Sequence, residues 1–260
     1  MELIAYCLAI LVGASLSLFG SGGSILSVPI MVYLLGLDAQ TAGTYSLFIV
    51  GTVAIIGSVK LVQSGNVEWK YLVFFGIPSL LGLILMRRIL LPLIPQTFHL
   101  SSEISFTKNN LILITFAVLM LFSAASMLSK KEKTSAGMQN LTAIGFFGFA
   151  IGLLTGFVGV GGGFMIIPAL VFFGGVEMKA AVSTSLFIIA INSLIGFLAS
   201  MGHTEMRWLL LMVFTACAML GLILGNKVKD RLSNAELKTY FAYFILLVSV
   251  YIMLKEIFFS

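Results

Sequence analysis

Two glycine-rich runs hold the residues of this 260-residue chain that are best suited to ligand chemistry. The first run reads GSGGS ahead of Pro29, and the second reads GVGGG ahead of Pro168. Glycine lets the backbone approach a ligand closely and adopt turns that other residues resist. A helix that starts after such a turn presents free N–H groups and the positive end of its dipole, a combination that binds anions. We therefore predict an anion site formed by Gly20, Ser21, Gly22, Gly23 and Ser24 together with Gly159, Gly161, Gly162 and Gly163.

An alternative role for both runs is packing, because glycine also lets membrane helices approach one another closely. A nucleotide-binding loop is a weaker interpretation of the second run, since that loop follows a strand within a βαβ unit. No such unit is indicated around Gly159. The runs therefore predict either an anion site or a pair of packing seams.

Hydroxyl and amide side chains follow each run in the next apolar segment. Residues two apart do not share a helix face, so either one hydroxyl of each pair faces the site or the backbone is irregular there. Hydroxyls in membrane helices also often bond their own backbone. An amide well inside a span serves equally well for a hydrogen bond between helices or for a ligand contact. The further candidate ligand contacts are Thr44, Ser46, Ser183, Thr184, Ser185 and Asn192.

Ionisable side chains are missing where other chemistries would need them. No Asp or Glu lies deep in an apolar segment, whereas a proton-coupled carrier usually needs a buried carboxylate or His. His99 and His203 lie in polar stretches, and no Ser–His or Cys–His pair shares a plausible depth, so we do not expect an enzyme. Cys7 and Cys217 match neither a metal-ligand spacing nor a disulfide framework. An anion remains the expected ligand, with no metal site.

Composition places these residues in a membrane. Hydrophobic residues make up 60% of the chain and charged residues 10%, with a mean hydropathy of +1.12; an ordinary soluble domain has about 25% charged residues. At about 20 apolar residues per crossing, the length leaves room for about eight to ten spans and little else. The net charge of +5 fits basic cytoplasmic loops and does not indicate nucleic-acid binding. We expect a multi-pass protein of the cell inner membrane, surrounded by the lipid bilayer.

The chain contains an internal duplication. Pro168 stands 139 positions after Pro29, and the same shift pairs both tryptophans, Trp69 and Trp208. It also pairs Gly36 with Gly175 and the three glycines of the first run with glycines of the second. Matched glycines, prolines and tryptophans in one frame do not arise by chance in apolar sequence. Two copies of one unit must therefore position the candidate site.

Apolar runs divide each copy into five predicted segments. They cover 3–19, 23–36, 42–62, 69–94 and 109–128 in the first copy, and 140–157, 162–175, 180–201, 206–225 and 235–258 in the second. Polar loops are predicted at 95–108 and 129–138, which gives a first transmembrane repeat at 1–128, a cytoplasmic linker at 129–139 and a second repeat at 140–260. A helix over 23–36 would rise only about 21 Å, short of the ~30 Å hydrocarbon core. The second segment of each copy is therefore either a short, broken span or a re-entrant helix.

Loop charges choose between these two options. If the short segments cross, one side of the membrane carries ten basic residues and the other carries five. If they re-enter, the division is eight against seven. Because basic residues collect on the cytoplasmic side, the charges favour ten crossing segments, inverted repeats and both termini outside. Inverted repeats with short segments interrupted by Gly or Pro place a transporter site near the membrane midplane, where the two helix starts would face one another.

At the residues already named, the chain resembles the TauE/SafE sulfite exporter family, also called the TSUP permeases. The resemblance rests on G-x-G-G-G-x4-P at 159–168, its degenerate copy G-x-G-G-S-x4-P at 20–29, and the Ser-Leu-Phe segments that follow. It implies transport of sulfite, sulfoacetate, related sulfur oxyanions or other small organic anions across the cytoplasmic membrane, without a bound cofactor. Ser24 departs from the pattern, because the second copy has Gly163 there, so the two half-sites need not be equivalent.

The resulting hypothesis is an all-α polytopic membrane protein of two inverted five-segment repeats. It acts as a secondary transporter for a small anion, rocking one repeat against the other to alternate access. A non-transporting membrane assembly subunit and an anion channel are the alternatives. The sequence leaves open the substrate, the direction of transport, the coupling ion and the oligomeric state, including whether the chain forms a homo-oligomer.

Overall fold

The structure is a computed structural model that describes residues 2–19, 22–63, 67–99, 105–128, 141–201, 206–229 and 233–258. Within those residues the chain is almost entirely helical, which confirms the predicted all-α class. Ten helices follow in order: α1 Glu2–Phe19, α2 Gly22–Tyr33, α3 Ala39–Gln63, α4 Trp69–Leu93, α5 Lys108–Leu128, α6 Leu141–Val158, α7 Gly163–Phe172, α8 Met178–Ser200, α9 Trp208–Lys229 and α10 Asn234–Phe258. The predicted linker at 129–139 lies outside the described residues, and the division of the chain at 1–128 and 140–260 stays a prediction.

Seven of the helices in the described part are long and apolar enough to cross a membrane: α3, α4, α5, α6, α8, α9 and α10. Their outer surfaces carry large apolar side chains such as Phe122, 73% exposed, and Leu209, 81% exposed. Such a belt would be unfavourable in water but suits contact with lipid. The protein is therefore a multi-pass membrane protein.

Helices α2 and α7 are the short ones, with 12 and 10 residues. Each contains its proline, Pro29 or Pro168. Three residues after each helix ends comes a glycine with positive φ, Gly36 at +66° or Gly175 at +65°. Beyond each glycine the chain turns back onto its helix, because the Leu37 N–H donates to the Met31 carbonyl and the Val176 N–H donates to the Leu170 carbonyl. The glycines thus explain why both helices end before spanning a full bilayer.

Helix α4 contains two π-helical segments, Leu72–Gly76 and Met86–Leu90. Wider turns of this kind often occur at functional sites, and the second segment holds Arg87. Beyond α4, the predicted loop at 95–108 contains a short antiparallel pair, β1 Thr97–His99 and β2 Ser105–Thr107, which leads directly into α5.

Helices from the two halves pack in exchanged pairs. Helix α1 packs chiefly on α9, and α4 packs on α6, the same pair with the halves exchanged. Both pairs run parallel and cross where a glycine on one helix meets the backbone of the other. Gly152 meets Ser79 and Gly13 meets Ala218, which is the same contact shifted by 139 positions. Packing is therefore the role of these glycines, as small residues allow in membrane helices.

Helices α3 and α8 form the central pair. Leu47 lies against Gly196 and Leu186 lies against Gly57, again one contact seen twice across the duplication. The residue numbers rise along α3 as they fall along α8, so the two helices are antiparallel. The two-fold axis that relates the two halves is therefore perpendicular to these helices. This arrangement is the one expected of inverted repeats, although the inverted orientation within a bilayer stays a prediction.

Candidate functional site

Arg87 is a fully charged side chain buried in the bundle, with only 3% of its surface exposed. One nitrogen, Nη1, donates a long hydrogen bond of 3.4 Å to Thr44 Oγ1. The other two, Nε and Nη2, have no hydrogen-bond partner. Removing an ion from water costs several kcal/mol unless a partner compensates it, and ionisable groups inside membranes usually mark ligand or ion pathways.

The loop between α6 and α7 lies against this guanidinium. A Cβ atom on Gly159 would collide with Arg87 Nη2 and with the Cα atom of Gly43. A Cβ on Gly43 would itself lie 2.9 Å from Nη2. Gly159 also has a φ of +77°, a conformation that favours glycine. The loop therefore reaches Arg87 only because both facing positions lack side chains.

Ser193 on α8 is the second polar side chain at this loop. Its hydroxyl is buried and has no hydrogen-bond partner, and a Cβ on Gly161 would collide with it. Gly161 also faces Ile189 and Val50, residues near the middle of α8 and α3. The loop thus enters the bundle at about half its depth.

All the buried side-chain polar atoms that lack partners in the described residues therefore border one loop, 159–162. Helix α7 begins just beyond it, and its first helical hydrogen bonds run from Met165 and Ile166 to the Gly162 carbonyl. The N–H groups ahead of these are the free donors found at every helix start. A guanidinium, a hydroxyl and a helix N-terminus can together bind an oxyanion.

The second glycine run lies beside the two buried side chains that have unpartnered atoms, while its predicted role in anion binding stays a prediction. Gly159 faces Arg87 and Gly161 faces Ser193. Gly162 has a φ of +80° and packs against Thr155, and Gly163 is the buried first residue of α7. Close approach and unusual turns, the two properties that motivated the prediction, are both used here.

The first glycine run is placed differently where the structure describes it. Gly20 and Ser21 lie outside the described residues, and Gly22 begins α2. A Cβ on Gly23 would press on the Val12 carbonyl and the Leu16 side chain, so this glycine packs α2 on α1. Ser24 is fully buried, and its carbonyl accepts a hydrogen bond from Ser27. A role for these residues in binding stays a prediction.

The predicted polar side chains divide between the site and the helix contacts. Thr44 contacts Arg87 and also donates to the Gln40 carbonyl at 3.0 Å. Ser46 shares a hydrogen bond of 2.6 Å with Ser27. The others bond elsewhere: Ser183 donates to the Lys179 carbonyl, Ser185 to the Val182 carbonyl, Asn192 to Ser79 Oγ, and Thr184 accepts from the Glu68 N–H. Of the six, Thr44 alone makes a recorded hydrogen bond to the buried guanidinium.

Arg87 and Ser193 are absent from the sequence-based candidates. Arg87 is followed by the exposed Arg88, and two adjacent arginines near the end of a span resemble an interfacial pair. The duplication gives no help, because position 226 of the second copy is an asparagine that accepts a hydrogen bond from Ser17. The one usable signal was a charge inside the predicted 69–94 segment. For Ser193, nothing in the sequence distinguishes it from other helix serines.

Comparison with known proteins agrees with a transporter. The family model described as "Sulfite exporter TauE/SafE" matches residues 4–252. A probable membrane transporter protein of Xylella fastidiosa is 27% identical over 261 residues, covering 95% of this chain and 92% of that protein. A probable membrane transporter protein of Bacillus subtilis is 24% identical, covering 98% of each chain. One from Haemophilus influenzae is 27% identical, covering 97% and 98%. No solved structure matches.

The family match covers nearly the whole chain, including both glycine runs and Arg87. The relatives match over almost their full length as well. The chain belongs to the sulfite exporter TauE/SafE family of membrane transporters.

Proposed function

We propose that this protein is a secondary transporter of the cell inner membrane that moves a small anion, sulfite or a related sulfur-containing or organic anion, by alternating access. The observation that carries the proposal is the buried Arg87, whose Nε and Nη2 atoms lack partners beside the Gly159 loop. An anion bound there would supply the missing hydrogen bonds and the missing charge.

The chemistry of the site favours an oxyanion. A guanidinium offers two parallel N–H donors, which match two oxygens of one small anion. Ser193 adds a hydroxyl donor, and the start of α7 adds backbone donors and a positive dipole end. Sulfite and carboxylates both present two or more oxygens that can accept hydrogen bonds from these donors at the same time.

Alternating access is supported by the antiparallel contact of α3 and α8, because inverted repeats supply two equivalent access states. The pairing of helices from different halves changes the motion that we expect during transport. Since α1 is held to α9 and α4 to α6 through backbone contacts at glycines, we expect each pair to move as one body. The moving bodies then contain helices from both repeats, in place of one whole repeat rocking on the other.

The test compares Arg87→Gln with Arg88→Gln in purified protein reconstituted into liposomes. Sulfite, thiosulfate, sulfate, small sulfonates and small carboxylates are assayed for flux and for thermal stabilisation, since a ligand that binds the folded state raises its apparent stability. We expect the parent and Arg88→Gln to respond to at least one anion and Arg87→Gln to lose both responses.

Three outcomes would contradict the proposal. Equal flux in the parent protein and in Arg87→Gln would show that Arg87 does not bind the transported anion. Absence of flux for every anion, with co-purification of a partner protein, would favour an assembly subunit. Flux far above a carrier's turnover, without stimulation by anion on the opposite side, would indicate a channel.

A further inference from the structure

A polar pocket of about 290 Å³ opens at the end of the bundle where α3 and α5 begin. Asp38, Gln40 and Thr41 form its wall on the α3 side, and Lys108 and Asn109 form it on the α5 side. Gln96 lies on the rim and is exposed. The two helix starts are joined by a hydrogen bond from the Ala39 N–H to Asn109 Oδ1.

Lys108 is the unusual residue of this pocket, because it is a lysine with only 4% of its surface exposed. Its Nζ atom donates a 2.7 Å hydrogen bond to the Leu91 carbonyl. That bond satisfies one of its three donors, and Asp38 lies near enough to interact with its charge. The start of α3 is already capped, because the Thr41 N–H donates to Asp38 Oδ1 and the Ala39 N–H donates to Asn109 Oδ1. The suitability of the pocket for a small anion therefore rests on the buried ammonium of Lys108, which has donors left over.

Two separate elements place the pocket next to the Arg87 site. On α4, Leu91 is four residues after Arg87, so the two residues lie one turn apart on the same helix face. On α3, Thr44 is four residues after Gln40, and the two are joined by a hydrogen bond. Lys108 and Arg87 are both cations and lie close enough to repel one another. The carbonyl that holds Lys108 is therefore about one helical turn, roughly 5 Å of axial rise, beyond the backbone of Arg87 on α4.

We propose that this pocket is a vestibule in which Lys108 captures the transported anion before it passes to Arg87. The inference rests on the proposed transport function and adds a second cationic station and an entry side. In the predicted topology that side is the outer one. Two cations one turn apart would lower the cost of moving an anion from water into the bundle, while Asp38 keeps Lys108 from holding it too tightly.

Sulfite flux in liposomes tests the vestibule through KM and kcat. Lys108→Gln is expected to raise KM for sulfite supplied on the vestibule side by roughly tenfold, in the range of electrostatic steering effects, with a smaller change in kcat. Lys108→Arg keeps the positive charge and should recover most of the loss. Arg87→Gln should instead abolish flux.

Rim charges give a version of the test that does not disturb the buried lysine. Gln96→Glu should raise KM and Gln96→Lys should lower it, each severalfold, and both differences should shrink in 0.5 M salt, where charges are screened within about 4 Å. These changes lie on the exposed rim, so folding is not at risk.

The outcomes separate the vestibule from the transport function. If Gln96→Glu, Gln96→Lys and Lys108→Gln all have the KM of the parent protein while Arg87→Gln is inactive, the vestibule proposal is wrong. The proposed anion site at Arg87 would be unaffected by that result. Absence of any anion flux overturns both proposals together.

Discussion

Ser193 and Arg87 are buried side chains with polar atoms that have no hydrogen-bond partner: Ser193 Oγ, Arg87 Nε and Arg87 Nη2. A buried polar group without a partner costs about 1–3 kcal/mol, and a buried charge costs more. Both side chains face a loop that approaches them closely because its glycines carry no side chains. The simplest physical account is that a ligand completes the missing contacts, so that stability is given up in the empty protein and recovered on binding.

Replacing Ser193 with alanine separates a binding role from a structural one. Ser193→Ala removes an unpartnered hydroxyl, so we expect the empty protein to gain about 1 kcal/mol of stability. The same change should reduce the stabilisation produced by the bound anion. Thermal unfolding with and without anion measures both effects. Ser200→Ala is the matched control, because Ser200 lies on the same helix and donates to the Gly196 carbonyl; a loss of stability in Ser193→Ala would contradict the account.

Gly159 offers a second residue test. Gly159→Ala introduces both left-handed strain and a collision with Arg87 Nη2, so we expect it to abolish anion binding and flux. Gly36→Ala carries the same strain, at a φ of +66°, but meets no atom within 4 Å. That control should lose about 1 kcal/mol of stability and keep its flux. If both variants transport equally well, the close approach of Gly159 to Arg87 has no functional role.

Helices in this protein are joined across the duplication by glycines that meet backbone. On α6, Gly152 meets the Ser79 carbonyl of α4, and added methyl groups at such crossings force the helices apart. We expect Gly152→Ala to destabilise the protein by about 1–3 kcal/mol, the usual cost of overpacking. Gly145→Ala on the same helix meets its nearest atom at 3.4 Å, an ordinary contact, and should be tolerated. Thermal unfolding in detergent compares the two, and equal stability would argue against a tight α4–α6 contact.

Continuous apolar runs predicted the helices well, because a membrane span must be apolar over its whole length whatever its neighbours are. All ten predicted segments correspond to helices in the described residues, and the short second segment of each half was also predicted. The π segment around Arg87 and the strands at 97–99 and 105–107 were not predicted. Neither feature has an apolar signature: a π turn is as apolar as the α-helix around it, and the strands lie in a stretch that is predicted only as a polar loop. The glycines of the second run were among the predicted site residues and border Arg87 in the structure, whereas Arg87 itself was not predicted; binding at these residues stays a prediction.

Several contacts between the two halves occur twice in the molecule, at positions that the duplication makes equivalent. The Tyr45 hydroxyl accepts a 2.7 Å hydrogen bond from the Arg207 N–H, and Thr184 Oγ1 accepts one of 2.9 Å from the Glu68 N–H. These are the same positions with the halves exchanged, although the residue types differ. Geometry is therefore retained across the duplication while chemistry is not. The position equivalent to Arg87 in the second half is the neutral Asn226. The duplicated fold therefore has a buried arginine in one half only, and the proposed site is asymmetric.

The orientation of the two halves can be tested at Asp38 and Glu177, which are exposed and occupy equivalent positions after α2 and α7. Single cysteines are introduced as Asp38→Cys and Glu177→Cys in a protein whose Cys7 and Cys217 are replaced by serine. If α2 and α7 complete the crossing, the two positions lie on opposite sides of the membrane, because five crossings separate them. We therefore expect a membrane-impermeant thiol reagent to label Asp38→Cys from outside and Glu177→Cys only after permeabilisation.

Labelling of both positions from the same side would mean that α2 and α7 re-enter, since then an even number of crossings separates them. The antiparallel contact between α3 and α8 argues against that result. Equivalent helices that begin on the same side would run parallel, and Leu47 could not lie beside Gly196 while Leu186 lies beside Gly57. The labelling pattern and the helix contact thus test one geometric statement by independent means. If the labelling pattern agrees with the helix contact, the two halves have opposite orientations in the membrane. The protein could then expose the Arg87 site to either side in two conformations related by that symmetry.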